Sequence, residues 1–413
     1  MTRILGYSEA VQSKAQRRDE IESTAELRAR LERGEGLAGV VLQGLDVGGL
    51  GTALDRADVS NSIWLGCRLD ERQREALLRR GALVFPDFED LPYDPYRSRL
   101  YSVDELMQGY DEGGYTATRD FAIYTHAHRE RHHAGGISKR EALAQRLHDH
   151  AIDDALGEML VDRAPRGVVG VMGGHGTPRS DPYFRKVTEI SRELTRRGYL
   201  VVSGGGPGVM EAANLGAWLA GHDDPGVVGR AVELLARADT MSGGQPEGTP
   251  GYLEAIRAFL RCARDVVERL GGAPGGVSLA VPTWFYGHEP SNLFSSAVAK
   301  YFDNSIREEG LLAIARAGVI YAPGSAGTMQ ELFQDLTQNH YGTYGARSPM
   351  VLLGRQRYAE EHRLIQTFAR ARGMERAYGD LLALLDEPGE VVSFIEAHPP
   401  REVERKPALY ELV

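Results

Sequence analysis

The residues with the clearest chemical potential lie in one stretch, Val319 to Phe333, which reads VIYAPGSAGTMQELF. Its apolar start predicts a buried strand, and Pro323-Gly324 predicts the turn that ends it. We expect a helix to open at Thr328, with free amides that can bind phosphate or another anion. Glu331 then lies in the first helical turn, where the helix dipole favours a carboxylate and where it can reach a ligand on the turn. The candidate phosphate-binding residues of this turn are Pro323, Gly324, Ser325, Ala326, Gly327 and Thr328.

Two further glycine-rich turns follow the apolar runs at 167–172 and 199–203. Each glycine costs conformational entropy when it is ordered, so stability alone does not explain such density, whereas close approach of a ligand to the backbone does. Ligands of open α/β sheets bind outside the carboxyl ends of the strands, and three such turns therefore predict one nucleotide site. The candidate nucleotide-binding residues of these two turns are Gly173, Gly174, Gly204, Gly205, Gly206, Gly208, Met210 and Glu211.

The elements around these turns alternate between strand and helix from Arg163 onward. This order predicts an α/β fold with a Rossmann-like, doubly wound parallel sheet over residues 161–413. An insertion at 222–276 is expected to hold helices at about 227–239 and 251–270. Residues 1–160 are predicted to form an additional region, first mixed and then helical, whose role the sequence does not indicate. No internal repeat is evident.

The composition is that of an ordinary soluble globular protein of 413 residues, with 42% apolar and 26% charged residues. A formal net charge of -10 argues against non-specific nucleic-acid binding. The sequence shows no secretory signal and no run of about 18 apolar residues, so we expect a cytoplasmic protein without a membrane partner. Cys67 and Cys262 are far apart and lack metal-ligand spacing, which indicates reduced thiols. Neither a metal nor a cofactor is predicted.

Three weaker motifs each have a plainer interpretation. His128 and His132 stand one helical turn apart, but nearby arginines would repel a cation, so a solvated helix face or a subunit contact is favoured over a metal site. Gly48-Gly-Leu-Gly-Thr resembles a phosphate turn without a clear helix after it. Trp284 and Tyr286 could stack on a flat base or simply pack in a loop.

Two of the glycine-rich turns together resemble the paired motifs of the LOG ("lonely guy") family, whose members were formerly labelled lysine decarboxylases. They read Gly204-Gly-Gly-Pro-Gly-Val-Met-Glu-Ala-Ala and Pro323-Gly-Ser-Ala-Gly-Thr-Met-Gln-Glu. The resemblance covers about residues 165–397 without the insertion. It implies a Rossmann-like nucleotide-binding fold, a homodimer or larger homo-oligomer, and hydrolysis of nucleoside 5′-monophosphates to free base and ribose 5-phosphate. Glu331 matches the family's catalytic glutamate.

Two positions depart from the family pattern. Ser325 replaces the second glycine of the family's phosphate motif, which narrows the backbone freedom there. The family also has an Arg-Lys pair on the preceding helix, with a catalytic arginine, where this chain reads Ile306-Arg307-Glu308-Glu309. Without a gap in the alignment, Arg307 is one position out of register, a rotation of about 100° on a helix. Arg307 is a candidate catalytic residue whose alternative role is an exposed ion pair.

Three functions remain open at this point. The first is a nucleoside 5′-monophosphate nucleosidase, in which the glycine turns hold the phosphate and Glu331 stabilises a ribosyl cation-like state or activates water. The second is a non-catalytic nucleotide or cofactor binder of the same fold, which the departures at Ser325 and at the Arg-Lys pair favour. The third is an amino-acid decarboxylase, for which the sequence has no recognisable cofactor-anchoring lysine.

Overall fold

Two parallel sheets organise the chain. The computed structural model describes residues 19–403, apart from residues 49, 86, 89, 272–274 and 287–288. In this part of the chain, a four-stranded sheet lies near the N-terminus and a seven-stranded sheet carries the glycine-rich turns. A short antiparallel pair lies outside both sheets. The predicted α/β class with a doubly wound parallel sheet is therefore confirmed.

A unit of strand, glycine and helix is repeated in the N-terminal sheet. Val41 pairs with Ile63, and Ile63 pairs with Leu83, so successive strands stack in register. Gly44 and Gly66 directly follow their strands with φ of +65° and +58°, a conformation that favours glycine. The similarity is one of backbone conformation, because strands of two or three residues are too short to show a period in the sequence. The elements are β1 (Glu20–Ile21), α1 (Thr24–Glu32), β2 (Val41–Gln43), α2 (Gly51–Arg56), β3 (Ile63–Leu65), α3 (Glu71–Arg79) and β4 (Leu83–Val84).

A helical layer follows and packs on one face of the large sheet. Its elements are α4 (Val103–Met107), α5 (Tyr110–Gly113), a 3-10 turn (Tyr115–Ala117), α6 (Arg119–Arg131) and α7 (Lys139–Arg163). Ile123 of α6 and Ile152 of α7 are fully buried in the same hydrophobic cluster as Val319 of the large sheet. The N-terminal sheet has a cluster of its own. Along the chain, the cluster of the N-terminal sheet extends to Val84, and the buried residues of the large-sheet cluster begin at Phe88.

Every neighbouring pair of strands in the large sheet is parallel. The strands are β5 (Val168–Met172), β6 (Leu200–Ser203), β7 (Ser278–Ala280), β8 (Ala297–Val298), β9 (Gly318–Tyr321), β10 (Ala346–Arg347), β11 (Met350–Leu353), β12 (Leu382–Leu385) and β13 (Arg401–Glu402). The order across the sheet is β12-β11-β9-β5-β6-β7-β8, and β10 pairs with β13 separately. Because β9 returns beside β5 after three strands have been laid on the other side, the β5–β9 junction is a topological switch point, where such sheets form a ligand crevice.

Helices cover both faces of this sheet. They are α8 (Pro182–Arg196), α9 (Val209–Trp218), α10 (Val227–Leu235), α11 (Pro250–Leu270), α12 (Asn304–Ile314), α13 (Ala326–Tyr341), α14 (Arg355–Ala371) and α15 (Pro388–Ala397), with 3-10 turns at Leu219–Gly221, Ala236–Ala238 and Gly379–Leu381. Phe184 of α8 and Ile395 of α15 pack on one face, and Leu332 of α13 and Ile365 of α14 pack on the other. Asp181 caps α8 by accepting from the Tyr183 amide.

The weaker motifs of the N-terminal half acquire no functional geometry. Residue 49 of the Gly48 motif lies outside the described residues, and the helix that follows, α2, has six residues. The His128 and His132 rings are 4.3 Å apart near the end of α6. Within the described residues, no group of three or more His, Cys, Asp and Glu side chains could hold a metal ion. Among the described helices, none combines the length and apolar character needed to cross a membrane.

Candidate active site

The three glycine-rich turns lie side by side at the carboxyl edge of the large sheet. The Gly174 amide donates a hydrogen bond to the Pro323 carbonyl oxygen at 3.1 Å, and the Val209 amide donates to the Gly174 carbonyl oxygen at 3.1 Å. A side chain at Gly173 would come within 2.6 Å of Val209. The turn after β5 is therefore bonded to the turns after β9 and β6, which brings together the residues that the sequence assigned to one nucleotide site.

Several glycines of these turns have no room for a side chain, because neighbouring atoms of the turns lie too close. A side chain at Gly208 would collide with the Gly174 carbonyl oxygen, and Gly208 also has a φ of +67°, which disfavours other residues. A side chain at Gly324 would collide with Thr328. Contacts within the protein therefore account for some of these glycines in addition to the expected approach of a ligand. Gly327 differs, since no described atom lies within 4 Å of the position that its Cβ would take.

A buried polar network holds the triple-glycine turn. The Ser203 hydroxyl donates to Asn214 Oδ1 at 2.7 Å and accepts from the Gly205 amide at 3.1 Å. Asn292 Nδ2 donates to the Gly205 carbonyl oxygen at 3.0 Å and to Asn214 Oδ1 at 2.9 Å. Asn292 reaches this turn from a loop far along the chain, so no local spacing in the sequence identifies it.

Met210 and Arg307 cover the same turn from outside. The Met210 thioether sulfur lies 2.6 Å from the position that a Cβ on Gly204 would take, and Met210 Cε lies 2.9 Å from the corresponding position on Gly206. Arg307 Nη2 lies 2.8 Å from the Gly204 position. Met210 therefore packs on the triple-glycine turn. Arg307 also lies against this turn and links it to Glu331, on the helix after β9.

Arg307 on α12 lies beside Glu331 on α13. Arg307 Nη1 is 3.8 Å from Glu331 Oε1, and Arg307 Nε donates to the Val281 carbonyl oxygen at 2.9 Å. The two side chains are only 11% and 14% exposed. Helix α12 begins after Asp303, which caps it by accepting from the Ser305 amide. This start sets the rotation of α12, so the structure brings together two residues that an ungapped alignment had left out of register.

Burial raises the pKa of the Glu331 carboxyl to about 7. The Arg307 guanidinium opposes this rise, and the nearby Glu308 carboxylate adds to it. A carboxyl whose pKa lies close to neutral is suited to accept a proton in catalysis, because a substantial fraction of it is ionised near pH 7 and the ionised form is a stronger base than an ordinary carboxylate. Such a shift in a crevice is also typical of functional sites.

The phosphate turn differs slightly from its prediction. Helix α13 begins at Ala326, two residues before Thr328, and no side chain caps its first amides. These amides are therefore suited to an anion. Arg357 on α14 adds a positive charge that the sequence did not reveal, since its Nη2 donates to the Gly324 carbonyl oxygen at 3.5 Å.

Glu211 forms a buried ion pair with Arg179. Its side chain is 1% exposed, and its two carboxylate oxygens accept from Arg179 Nε at 2.8 Å and Arg179 Nη2 at 2.5 Å. Arg179 is itself fully buried. The inclusion of Glu211 among nucleotide-binding residues is corrected, because a buried cation occupies both of its oxygens.

Of the two aromatic residues considered for base stacking, only one is near the candidate site. Trp284 is 1% exposed, and its Nε1 donates to Asp120 at 2.8 Å. Lys300 Nζ binds the same Asp120 oxygen at 2.8 Å. Trp284 thus belongs to the core between α6 and the sheet. Tyr286 is 53% exposed, and its hydroxyl lies 3.5 Å from Glu308 Oε1.

A second buried carboxyl, Asp335, lies one helical turn beyond Glu331. Burial raises its pKa from the ordinary value of 3.8 to about 7, although the Tyr321 hydroxyl donates to it at 2.9 Å. Asn339 Nδ2 donates to its other oxygen at 3.3 Å. Because the folded pKa exceeds the unfolded value, Asp335 contributes stability that is fully present below about pH 3.8 and is lost as the pH rises through about 7.

Asp335→Asn is therefore expected to stabilise the protein at pH 8 by about 2–4 kcal/mol and to change it by less than about 1 kcal/mol at pH 4. The asparagine buries no charge, and its single side-chain oxygen can still accept from the Tyr321 hydroxyl. Its amide nitrogen cannot accept from Asn339 Nδ2, so part of the gain is offset by the loss of that longer bond. Urea unfolding of the variant and the parent at the two pH values measures this difference. Tyr321→Phe, which removes a donor to the ionised form, should lower the stability at pH 8 instead. Equal stability of Asp335→Asn and the parent at pH 8 would contradict the argument.

Part of this site is similar to a known family. Residues 166–231 match the SLOG cluster4 family. This SLOG-like segment contains β5, α8, β6 and α9, and so carries the first two glycine-rich turns. The match supports a SLOG-type Rossmann-like family and does not single out LOG nucleotide hydrolases. No curated protein matches the sequence.

Two solved structures align with part of this chain at low identity. The molybdenum cofactor carrier protein from Chlamydomonas reinhardtii is 14% identical, with a TM-score of 0.33 over 56% of this chain and 96% of that chain. A protein described as TM1055 is 18% identical, with a TM-score of 0.31 over 56% of this chain and 99% of that chain. TM-scores this low carry no further inference. The third turn and Glu331 lie outside the SLOG-like segment, so the match does not bear on their role.

Proposed function

We propose that this protein hydrolyses the N-glycosidic bond of nucleoside 5′-monophosphates, releasing free base and ribose 5-phosphate. The observation that carries the proposal is the Arg307–Glu331 pair, 3.8 Å apart and largely buried, beside three glycine-rich turns of which the one after β5 is bonded to the other two. The LOG-like motif pair supports the same reaction class and extends the proposal to a homodimer or larger homo-oligomer.

In this proposal, the 5′-phosphate lies on the uncapped first amides of α13, with Arg357 at the edge of the turn. Glu331 lies at the anomeric carbon, where a carboxylate stabilises the positive charge that develops as the bond to the base breaks. The electron pair of the C1′–N bond leaves with the base, and a water oxygen bonds to C1′. The proton that this water loses passes to Glu331 and then, through solvent, to the departed base, which returns Glu331 to its ionised form.

The test is a panel of nucleoside 5′-monophosphates and the matching nucleosides, incubated with the purified protein and followed by chromatography. We expect free base and ribose 5-phosphate in equal amounts from at least one monophosphate, and no base from the nucleosides, which lack the anchoring phosphate. Absence of base from every monophosphate would overturn the proposal.

A non-catalytic nucleotide binder is the second candidate. It is favoured by the Glu308 carboxylate, which lies 3.9 Å from Arg307 Nη1, next to the arginine that the resemblance treats as catalytic. A binder of this kind would be stabilised against thermal unfolding by a monophosphate without releasing base. The same panel, read by melting temperature as well as by product, separates the two candidates.

A further inference from the structure

The Arg307 guanidinium stands between two carboxylates. Its Nη1 is 3.8 Å from Glu331 Oε1 and 3.9 Å from Glu308 Oε1. A hydrogen-bonded ion pair would bring such atoms to about 2.8 Å. Arg307 is therefore shared between the two carboxylates and is closed onto neither of them. All three side chains are at most 14% exposed, so solvent does little to weaken their interaction.

Other contacts hold Glu308 in its place beside Arg307. Gln330 Nε2, on the residue before Glu331, donates to Glu308 Oε2 at 2.9 Å. The Tyr286 hydroxyl donates to Glu308 Oε1 at 3.5 Å and accepts from Asn304 Nδ2 at 2.9 Å. The two direct contacts to Glu308 come from α13 and from the loop after β7, and so the position of Glu308 is not that of a freely rotating surface carboxylate.

We propose that Glu308 is a positioning residue for the reaction at Glu331: by sharing Arg307, it prevents the guanidinium from closing onto Glu331 and leaves that carboxylate available as a base. The inference rests on the proposed function for its catalytic meaning. The sharing itself is a property of the three side chains and can be measured without turnover.

The other groups around Glu331 do not substitute for Glu308. Arg307 and Glu308, both on α12, are the charged side chains that act on its carboxyl. The tyrosines whose own pKa values its charge influences are Tyr286 on the loop after β7, Tyr321 on β9 and Tyr358 on α14. Burial holds all three of these phenols above their usual range, so they stay neutral near pH 7. The state of Glu331 near neutral pH is thus set by Arg307 and Glu308 in addition to burial.

The test compares Glu308→Gln with the parent. Without the charge of Glu308, the Arg307 guanidinium interacts with the Glu331 carboxylate only. This favours the ionised form of Glu331, which makes Glu331 a weaker base. We expect the titration midpoint of Glu331 to fall by about one pH unit, and the acidic limb of the pH–rate profile to move with it. The turnover number at pH 8 should fall about threefold or more, with KM changed less than about twofold.

The titration is followed in protein labelled with 13C at the glutamate carboxyl carbons, with the Glu331 signal assigned by its loss in Glu331→Gln. Glu309→Gln is the matched control, because Glu309 is the next residue on α12 and accepts from the Tyr344 hydroxyl at 3.0 Å. It should leave the midpoint unchanged. Glu308→Asp keeps the negative charge. Its Glu331 titration midpoint and its turnover number should therefore stay close to those of the parent.

The outcomes separate this inference from the proposed function. An unchanged Glu331 midpoint in Glu308→Gln, or an equal shift in Glu309→Gln, would overturn the sharing of Arg307. A shift in Glu308→Gln alone, in a parent protein that releases no base from any monophosphate, would support the sharing and overturn the nucleosidase.

Discussion

Replacing Arg179 by methionine is expected to lower the free energy of unfolding by about 3–5 kcal/mol. Arg179 is fully buried and binds both oxygens of Glu211, which is 1% exposed. Methionine fills much of the volume but leaves the Glu211 carboxylate buried without a cation, and an uncompensated buried charge is costly. Denaturant unfolding followed by circular dichroism measures the loss.

Arg179 also joins separate parts of the chain, which adds to the expected loss. Its Nη1 donates to the carbonyl oxygens of Ala238 at 3.2 Å and Phe259 at 3.1 Å, and its guanidinium carbon lies 3.3 Å from the centre of the Phe259 ring. These residues belong to the insertion, whereas Glu211 opens the helix after the triple-glycine turn. The ion pair therefore fixes the insertion against the site.

Arg185→Met is the matched control for this prediction. Arg185 forms an ion pair with Glu189 at 2.9 Å on the same helix that follows Arg179, but the two side chains are 60% and 37% exposed. Its loss should cost less than about 1 kcal/mol. Arg179→Met combined with Glu211→Leu should recover part of the stability, because an apolar pair can replace a buried ion pair. If Arg179→Met unfolds at the same denaturant concentration as Arg185→Met, the argument fails.

The large sheet could be predicted from the sequence because its strands are buried on both faces. Val168–Met172 and Val319 to Ala322 are continuous apolar runs, each ended by glycine-rich turns, and such runs are typical of parallel sheets. The start of α8 was equally visible, because Asp181 before a proline is a strong helix-start signal. Local patterns of this kind are sufficient to place the three turns at one sheet edge.

The partners of individual site residues could not be predicted in the same way. Glu211 pairs with Arg179, and Trp284 bonds to Asp120, across long separations in sequence. The choice between a ligand contact and such a partner depends on tertiary packing, which no local spacing encodes. The direction of the Arg307 side chain could not be predicted for another reason. If the start of α12 shifts by one residue, every side chain on the helix turns by about 100°.

The short N-terminal strands show a third limit. β1 and β4 have two residues each, and β2 and β3 have three. Alternation of exposed and buried positions cannot be recognised over so few residues. The positive φ of Gly44 and Gly66 at equivalent positions reveals the repeat only after the backbone is known.

The largest expected effect on activity is that of Glu331→Gln, which should lower the turnover number for a nucleoside 5′-monophosphate by about 10²–10⁴-fold. Glutamine is similar in size and keeps a hydrogen-bonding oxygen, but it can neither accept the water proton nor carry the negative charge that opposes the ribosyl cation. KM should change much less, since the substitution leaves the proposed phosphate site on the turns unaltered. The variant should still be stabilised against thermal unfolding by the monophosphate, which separates loss of catalysis from loss of binding.

The pH dependence of the proposed activity in the parent protein adds an independent check on the role of Glu331. Because burial raises the pKa of its carboxyl to about 7, activity that requires the ionised form should rise with pH through about 7 and be lost below it. The residual activity of Glu331→Gln should lack this limb. Glu360→Gln, at a carboxylate 88% exposed on α14, should retain both the rate and the limb. A Glu331→Gln variant as fast as the parent would remove Glu331 from the chemistry, and a parent limb centred near pH 4.5 would mean that its carboxyl titrates as if exposed to water.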